Sequence, residues 1–260
     1  KDKKSPNTKT TWESTLNHIE SFQGKKLTFE NVTTRWIEKF SEYLLKEVSQ
    51  NSARMYMQKI NSALNQAVKE RIIIENPYKF MNKLKSEETE MIFLSKDEVQ
   101  EIINTPFFDN DVKNAFLLSC YTGLRFSDIS TLKWSNIKDG RIHINQTKTK
   151  GIVYIPLNKN AAHILNIQKN TTEFVFKFSR YNSSVNRTFS KLIALTNIKK
   201  NVSFHSARHT FATLLVTSGV NIFTVSKLLG HKNINSTLVY AKVINEEKEK
   251  AVNSLPNFTF

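Results

Sequence analysis

Phe204-His205-Ser206-Ala207-Arg208-His209-Thr210-Phe211 is the stretch from which the rest of the chain is read. His205 and Arg208 stand three apart, so on a helix they project from one face. A helical pattern runs from 206 to 218 and is closed by Gly219. A second runs from 222 to 229 and is closed by Gly230. Glycine ends helices because it enters the left-handed region without strain. His231 follows at once, and Tyr240 comes nine residues later in a short helix expected over 237–241. Three histidines and an arginine therefore precede a tyrosine within 36 residues. Arginine forks hold phosphate oxygens, imidazole moves protons near neutral pH, and a tyrosine hydroxyl can act as a covalent nucleophile. This set suffices to break a phosphodiester without a metal.

Working upstream, a second arginine stands in Thr122-Gly123-Leu124-Arg125, at a loop-to-helix boundary, with Asp128 three residues on as a local partner. The apolar stretch 112–120 leads into it, and Gly123 reads as a helix stop. Before that, Ser95-Lys96-Asp97-Glu98 is a capping box opening a helix that carries Val99, Ile102 and Ile103 and ends near Thr105-Pro106. Strand signals are confined to one place. Residues 141–145 and 152–156 alternate apolar and polar around the polar loop 146–151, which reads as a β-hairpin with a basic tip. Lys148 and Lys150 occupy that tip. Lysines there are solvated, reach into a minor groove, or donate a proton; the pattern alone does not choose.

The chain of 260 residues carries 38 basic against 23 acidic side chains, a net charge of +15. A polyanion is the expected partner, and nucleic acid is favoured over a membrane because no apolar run approaches the ~20 residues of a spanning helix. Cys120, the one cysteine, lies in an apolar run and reads as a buried structural thiol, with no disulfide or thiolate zinc site available to it. The N-terminus is polar rather than a signal peptide, so an intracellular protein is expected. The first residue is not Met, which leaves room for a longer parent protein.

Residues 1–85 read as helical. Thr33 caps a helix with Ile37, Phe40 and Leu44 on one face, and after a turn at 49–52 a second helix carries Met57, Ile60, Leu64, Ala67 and Val68 until Asn76-Pro77 stops it. This region has 16 basic and 9 acidic residues, and the remainder has 22 and 14. Both are basic, as two regions touching one long anion would be. The expected organisation is a helical, basic domain over 1–85, a linker over 86–94 and a second domain over 95–260. No internal repeat, heptad array or low-complexity tract is present.

Taken singly, these residues have plain readings. His205 and His209 stand at i and i+4 but lack the glutamate of a His-Glu-x-x-His zinc motif, so no metal and no other cofactor is expected. His231 can serve as a helix C-cap, and Tyr240 as a half-buried aromatic. Taken together, Thr122-Gly123-Leu124-Arg125-Phe126-Ser127-Asp128-Ile129, His205-x-x-Arg208-His209-Thr210-Phe211-Ala212, Leu228-Leu229-Gly230-His231 and Thr237-x-x-Tyr240 resemble the tyrosine recombinase (phage integrase) family. The resemblance is closest to integrases of bacterial mobile elements such as conjugative transposons and to Xer-like recombinases. It is strong over 95–245 and rests on helical, basic character over the first 85 residues.

The resemblance implies a mainly α protein with a small β-hairpin or sheet: a helical core-binding domain followed by a mixed α/β catalytic domain. It implies that Tyr240 is the nucleophile, that Arg125 and Arg208 clamp the scissile phosphate, and that His205 and His231 complete the pocket. Asp128 would orient Arg125 or His205, and His209 would be structural. Counting back from Pro156 places the family's hairpin lysine at Lys148, with Lys150 as competitor. The implied partners are specific recombination sites on duplex DNA, three further copies of the chain in a synaptic tetramer of otherwise free monomers, and accessory DNA-bending or directionality proteins. The apolar C-terminal tail would pack on its own domain or on a neighbouring protomer. Two alternatives share parts of the inventory: a type IB topoisomerase-like enzyme, and a DNA-binding regulator with a decayed site. An RNA-binding protein would need aromatic motifs or repeats that are absent.

Overall fold

Thr33 accepts a hydrogen bond from the Trp36 N–H, and Ser49 accepts one from Ser52. These caps start the second and third helices of the chain, α2 (Thr34–Glu47) and α3 (Gln50–Lys69), which follow α1 (Pro6–Gln23). In this computed structural model, residues 6–147, 151–169, 172–178, 182–241 and 252–253 are described. Two units emerge, Lys1–Thr89 and Glu90–Phe260. In the first, Trp36, Ile37, Phe40 and Leu44 of α2 meet Met57, Ile60 and Leu64 of α3 in a buried core. Trp36 stacks on Phe40 at 5.1 Å, and Phe22 of α1 sets its edge against both rings.

Asn76-Pro77 does not end α3. The helix is already over at Lys69, where Arg71 adopts a φ of 59° and the Arg71 and Ile72 N–H groups donate back to the Val68 and Ala67 carbonyls. This is a Schellman termination with arginine in the place glycine usually takes. Asn76 instead organises the segment after the helix. It is buried, donates to the side chains of Asn61 and Asn65, and accepts from the Tyr78 N–H, opening the short 3-10 turn Pro77–Phe80. The stretch read as a linker is held at each end by its own unit. Gln50 and Asn51 donate to the Lys85 and Glu87 carbonyls. Leu94 is fully buried, and its N–H donates to Thr210 Oγ1 at 2.9 Å.

The second unit is built around α5 (Asn110–Thr122), reached through α4 (Lys96–Asn104). The capping box at Ser95 and Glu98 forms in full. α5 is buried at Val112, from Ala115 to Cys120 and at Thr122, which makes it a core helix rather than a surface one. Cys120 lies inside, and burial pushes its thiol well above the usual range. α6 (Phe126–Ile129) follows Gly123. A three-stranded antiparallel sheet comes next: β1 (Ile137–Lys138), β2 (Arg141–Asn145) and β3 (Ile152–Pro156), in that order, with Ile142 opposite Ile155 and Ile144 opposite Val153. The hairpin is as its alternation predicts, while β1 is an addition of two residues. α7 (Lys159–Ile167) and α8 (Asn182–Ile193) pack on α5, Phe189 stacking on Phe116 at 4.0 Å.

α9 (Phe204–Thr217) is the helix of the opening stretch. It begins two residues earlier than its apolar pattern suggests, because the Ser206 hydroxyl accepts from the Ser203 N–H. α10 (Ile222–Leu229) and α11 (Asn235–Leu238) complete the unit. The fold is mainly α with one small sheet, as expected. Among the described residues no helix is long and apolar enough to cross a membrane. The tail residues 246–251 and 254–260 lie outside the described residues, and so do Lys148 and Lys150.

Candidate active site

Arg208 is 3% exposed, although it sits on the second turn of an apolar helix. What makes its burial tolerable is a pair of backbone carbonyls at two helix ends. Nη1 donates to Gly123 O at 2.6 Å and Nη2 to Leu229 O at 2.8 Å. Those carbonyls end α5 and α10, where helices leave acceptors unpaired. Two of the five guanidinium donors are thus used to fix the fork in place. Burial and the nearby Arg125 charge lower the Arg208 pKa to about 10, so it is still charged at neutral pH.

Arg125 stands immediately before α6, and its carbonyl receives the Asp128 and Ile129 N–H groups of that turn. Its Nη1 is shielded from solvent and has no hydrogen-bond partner among the described residues. Burial works against its charge, and Asp128 and Tyr240 favour it. An unpaired guanidinium nitrogen close enough to the buried Arg208 for the two charges to be felt by each other suits an anion chemically.

Asp128 is 4% exposed. The hydrogen bond it makes goes to the Thr147 N–H, at 2.9 Å, and holds the first residue of the hairpin loop. Its expected role on Arg125 is therefore electrostatic, while its positioning role falls on the hairpin. Gln146, which the sequence reading passes over, is buried beside it and donates to Leu229 O at 3.0 Å, the carbonyl that Arg208 also uses. The base of the hairpin, the end of α10 and Arg208 therefore share one acceptor.

His231 follows the left-handed Gly230, and its Nδ1 shares a 2.7 Å hydrogen bond with Thr237 Oγ1 at the start of α11. Burial first, then the charges of Arg208 and Arg125, lower its pKa to about 4. It is neutral in the folded protein near neutral pH. Tyr240 is 2% exposed and packs with Phe211, Val225 and Leu229. Burial raises its pKa, and the Arg208 and Arg125 charges act in the opposite direction. Its hydroxyl lies 3.0 Å from Nδ1 of His209. His209, expected to be structural, thus touches the residue expected to be the nucleophile. The exposed His205 sets its ring edge-on to His209, at 4.7 Å between centroids.

The structure thus gathers Arg125, Asp128, Arg208, His209, His231 and Tyr240, with His205 at the margin. Lys148 lies outside the described residues. Gln146 carries no sequence signal, since an amide does not stand out without its partner; Thr237 belongs to the Thr237-x-x-Tyr240 motif, but its bond to His231 is not legible there. Among the described residues, no group of three or more His, Cys, Asp or Glu side chains could hold a metal ion.

The sequence matches the phage integrase family over residues 92–247 and the phage integrase SAM-like domain over residues 1–86. It is 29% identical over 267 residues to a tyrosine recombinase of Thermosipho africanus, spanning 96% of this chain and 94% of that protein. Among solved structures, a lambda integrase dimer bound to a COC′ core site superposes with a TM-score of 0.80 at 22% identity, over 92% of this chain and 89% of that one. The Tn1549 transposon integrase in complex with circular intermediate DNA gives 0.76 at 18% identity, over 92% and 90%. At those identities the two structures establish the fold.

Proposed function

The chain belongs to the phage integrase family and is a tyrosine-type site-specific recombinase, and from this premise we propose that it cuts and rejoins duplex DNA through a 3′-phosphotyrosyl bond at Tyr240. The observation that carries the reading is the meeting of a buried tyrosine with the buried Arg208 and the half-buried Arg125, whose Nη1 is shielded from solvent and has no hydrogen-bond partner among the described residues.

In this reading the scissile phosphate lies against Arg125 and Arg208. Their fixed charges stabilise the pentacoordinate transition state in a site with little water, where such charges act strongly. The Tyr240 oxygen bonds to phosphorus, and the bond from phosphorus to the 5′-oxygen breaks. That oxygen is a poor leaving group unless protonated, and Lys148 of the hairpin loop is the proton donor. His205 and neutral His231 donate hydrogen bonds to the remaining phosphate oxygens. The tyrosyl ester keeps the bond energy, so a different 5′-hydroxyl reverses the step without ATP. Exchange between two duplexes requires four strand cuts, so four copies of the chain, each cutting once, assemble on the DNA. Both basic units hold the duplex, and the reaction takes place in the cytoplasm, where a bacterial chromosome is reached.

A duplex nicked just beyond the cut site loses its 5′ fragment and traps the covalent adduct. Wild-type protein should leave an adduct that survives denaturing electrophoresis. Tyr240→Phe should bind the same duplex and leave none. An adduct formed by Tyr240→Phe would mean that a different nucleophile operates.

A further inference from the structure

Attack by a tyrosine requires that its proton go somewhere. At pH 7 a phenol is protonated (pKa near ~10), and burial moves Tyr240 further in that direction. The arginines ease the loss of the proton without accepting it. Lys148 and the leaving oxygen deal with the other end of the reaction. One described side chain is within hydrogen-bonding distance of the Tyr240 hydroxyl: Nδ1 of His209, at 3.0 Å.

We propose that His209 is the proton acceptor for Tyr240: Nδ1 takes the hydroxyl proton as the oxygen bonds to phosphorus. The inference rests on Tyr240 being the nucleophile. The step balances as follows. The O–H bond of Tyr240 breaks and its proton forms the imidazolium of His209. The phosphorus–O5′ bond breaks, and the departing oxygen takes a proton from the leaving-group acid. On rejoining, a 5′-hydroxyl attacks phosphorus and returns its proton to the leaving-group acid, and the released Tyr240 oxygen recovers its proton from Nδ1. Nothing is consumed over the cycle.

Three features fit this role. The acceptor must be uncharged before the reaction, and His209, with its pKa lowered to about 4 by burial and by His205 and Arg208, is neutral at physiological pH. In the neutral ring, Nδ1 accepts only if Nε2 carries the hydrogen, which fixes the tautomer. The surroundings also tie base strength to substrate. The groups facing the site are His205 and Arg208 on α9, Arg125 before α6, Asp128 on α6, His231 after α10 and Tyr240 itself. Without DNA, the positive ones among them oppose protonation of His209. A scissile phosphate brings a negative charge into the same space, offsets the arginines and strengthens the base when it is needed.

Single-turnover adduct formation on the nicked duplex, measured with the full chain across the neutral and mildly alkaline range, tests the proposal. His209→Asn can place an amide oxygen near the position of Nδ1 and accept a hydrogen bond, but it cannot accept the proton. His209→Asn and His209→Ala should both bind DNA normally and form adduct at least about 100-fold more slowly at pH 7. Their rates should climb with pH, up to about tenfold per unit as hydroxide replaces the missing base, while the wild type stays flat. Difluorotyrosine at position 240, a more acidic phenol, should recover much of the loss in His209→Ala. Wild-type rates in His209→Asn would show that the contact only holds the ring. A His209→Ala variant faster than the wild type would show that it restrains Tyr240. Either result overturns the proposal. Tyr240→Phe on the same substrate separates the two claims: if it forms adduct, the nucleophile is misassigned, and if it does not while His209→Asn is normal, only the acceptor is.

Discussion

A methyl group on Gly123 would come within 2.5 Å of Phe211 Cδ1 and 2.9 Å of Leu229 Cδ2, on a backbone with φ of 68°. The same residue supplies a carbonyl to Arg208. Gly123→Ala combines left-handed strain with overpacking, and should cost on the order of 3 kcal/mol in chemical denaturation. Adduct formation should fall with it, because Phe211 and Leu229 belong to the cluster that seats Tyr240. The histidines make a second prediction at this scale. His209 and His231 have folded pKa values of about 4, below the unfolded value of 6.5. Between those pH values the unfolded chain binds more protons, so stability is full above about pH 6.5 and is lost as pH falls toward 4. Both rings are partly exposed, which reduces the effect to on the order of 1 kcal/mol each. The melting temperature of His209→Asn should therefore fall less between pH 6.5 and 4.5 than that of the wild type.

The hairpin is tied to the site through Asp128 and through the Leu229 carbonyl that Arg208 also uses. Its loop is held at the base by three bonds: Thr147 N–H to Asp128, Gln146 N–H to Gly151 O and the Gln146 side chain to Leu229 O. Asp128→Ala leaves the Thr147 N–H without its acceptor, a loss of about 1 to 3 kcal/mol, and amide exchange across β2 and β3 should quicken. Lys148→Ala should be slow on ordinary DNA and regain its rate on a 5′-bridging phosphorothiolate, whose thiolate leaves without protonation. Equal defects on both substrates would give the acid role to another group. Elements whose signals are local are legible in the sequence: the Ser95–Glu98 capping box, the Thr33 cap and the alternation of β2 and β3. β1 is not, because two residues hold no period. The end of α3 is not, because the left-handed position falls to Arg71 rather than to a glycine. α8 is carried by Val185, Phe189 and Leu192, a pattern diluted by the surrounding Asn and Ser. The site is legible as types of residue in a particular order. Its positioning is not, because Gln146, Thr237 and the carbonyls of Gly123 and Leu229 gain meaning only when α5, α9 and α10 come together.

For the whole molecule, charge is the dominant physical property. The net charge of +15 is spread over both units, so phosphate contacts in both should contribute to affinity. The logarithm of the binding constant for a duplex site should fall linearly with the logarithm of salt, with a slope of about −0.9 per phosphate neutralised. A slope near zero would mean that the charge serves something other than DNA. The central claim, that Tyr240 joins itself to DNA, has its most direct test in the adduct. Trypsin digestion of the trapped complex should release the peptide 233–242, in which Tyr240 is the only tyrosine. Mass spectrometry should find that peptide joined through the Tyr240 oxygen to a 3′-phosphate of the DNA. Attachment at any other residue, or to a 5′-phosphate, would contradict the account.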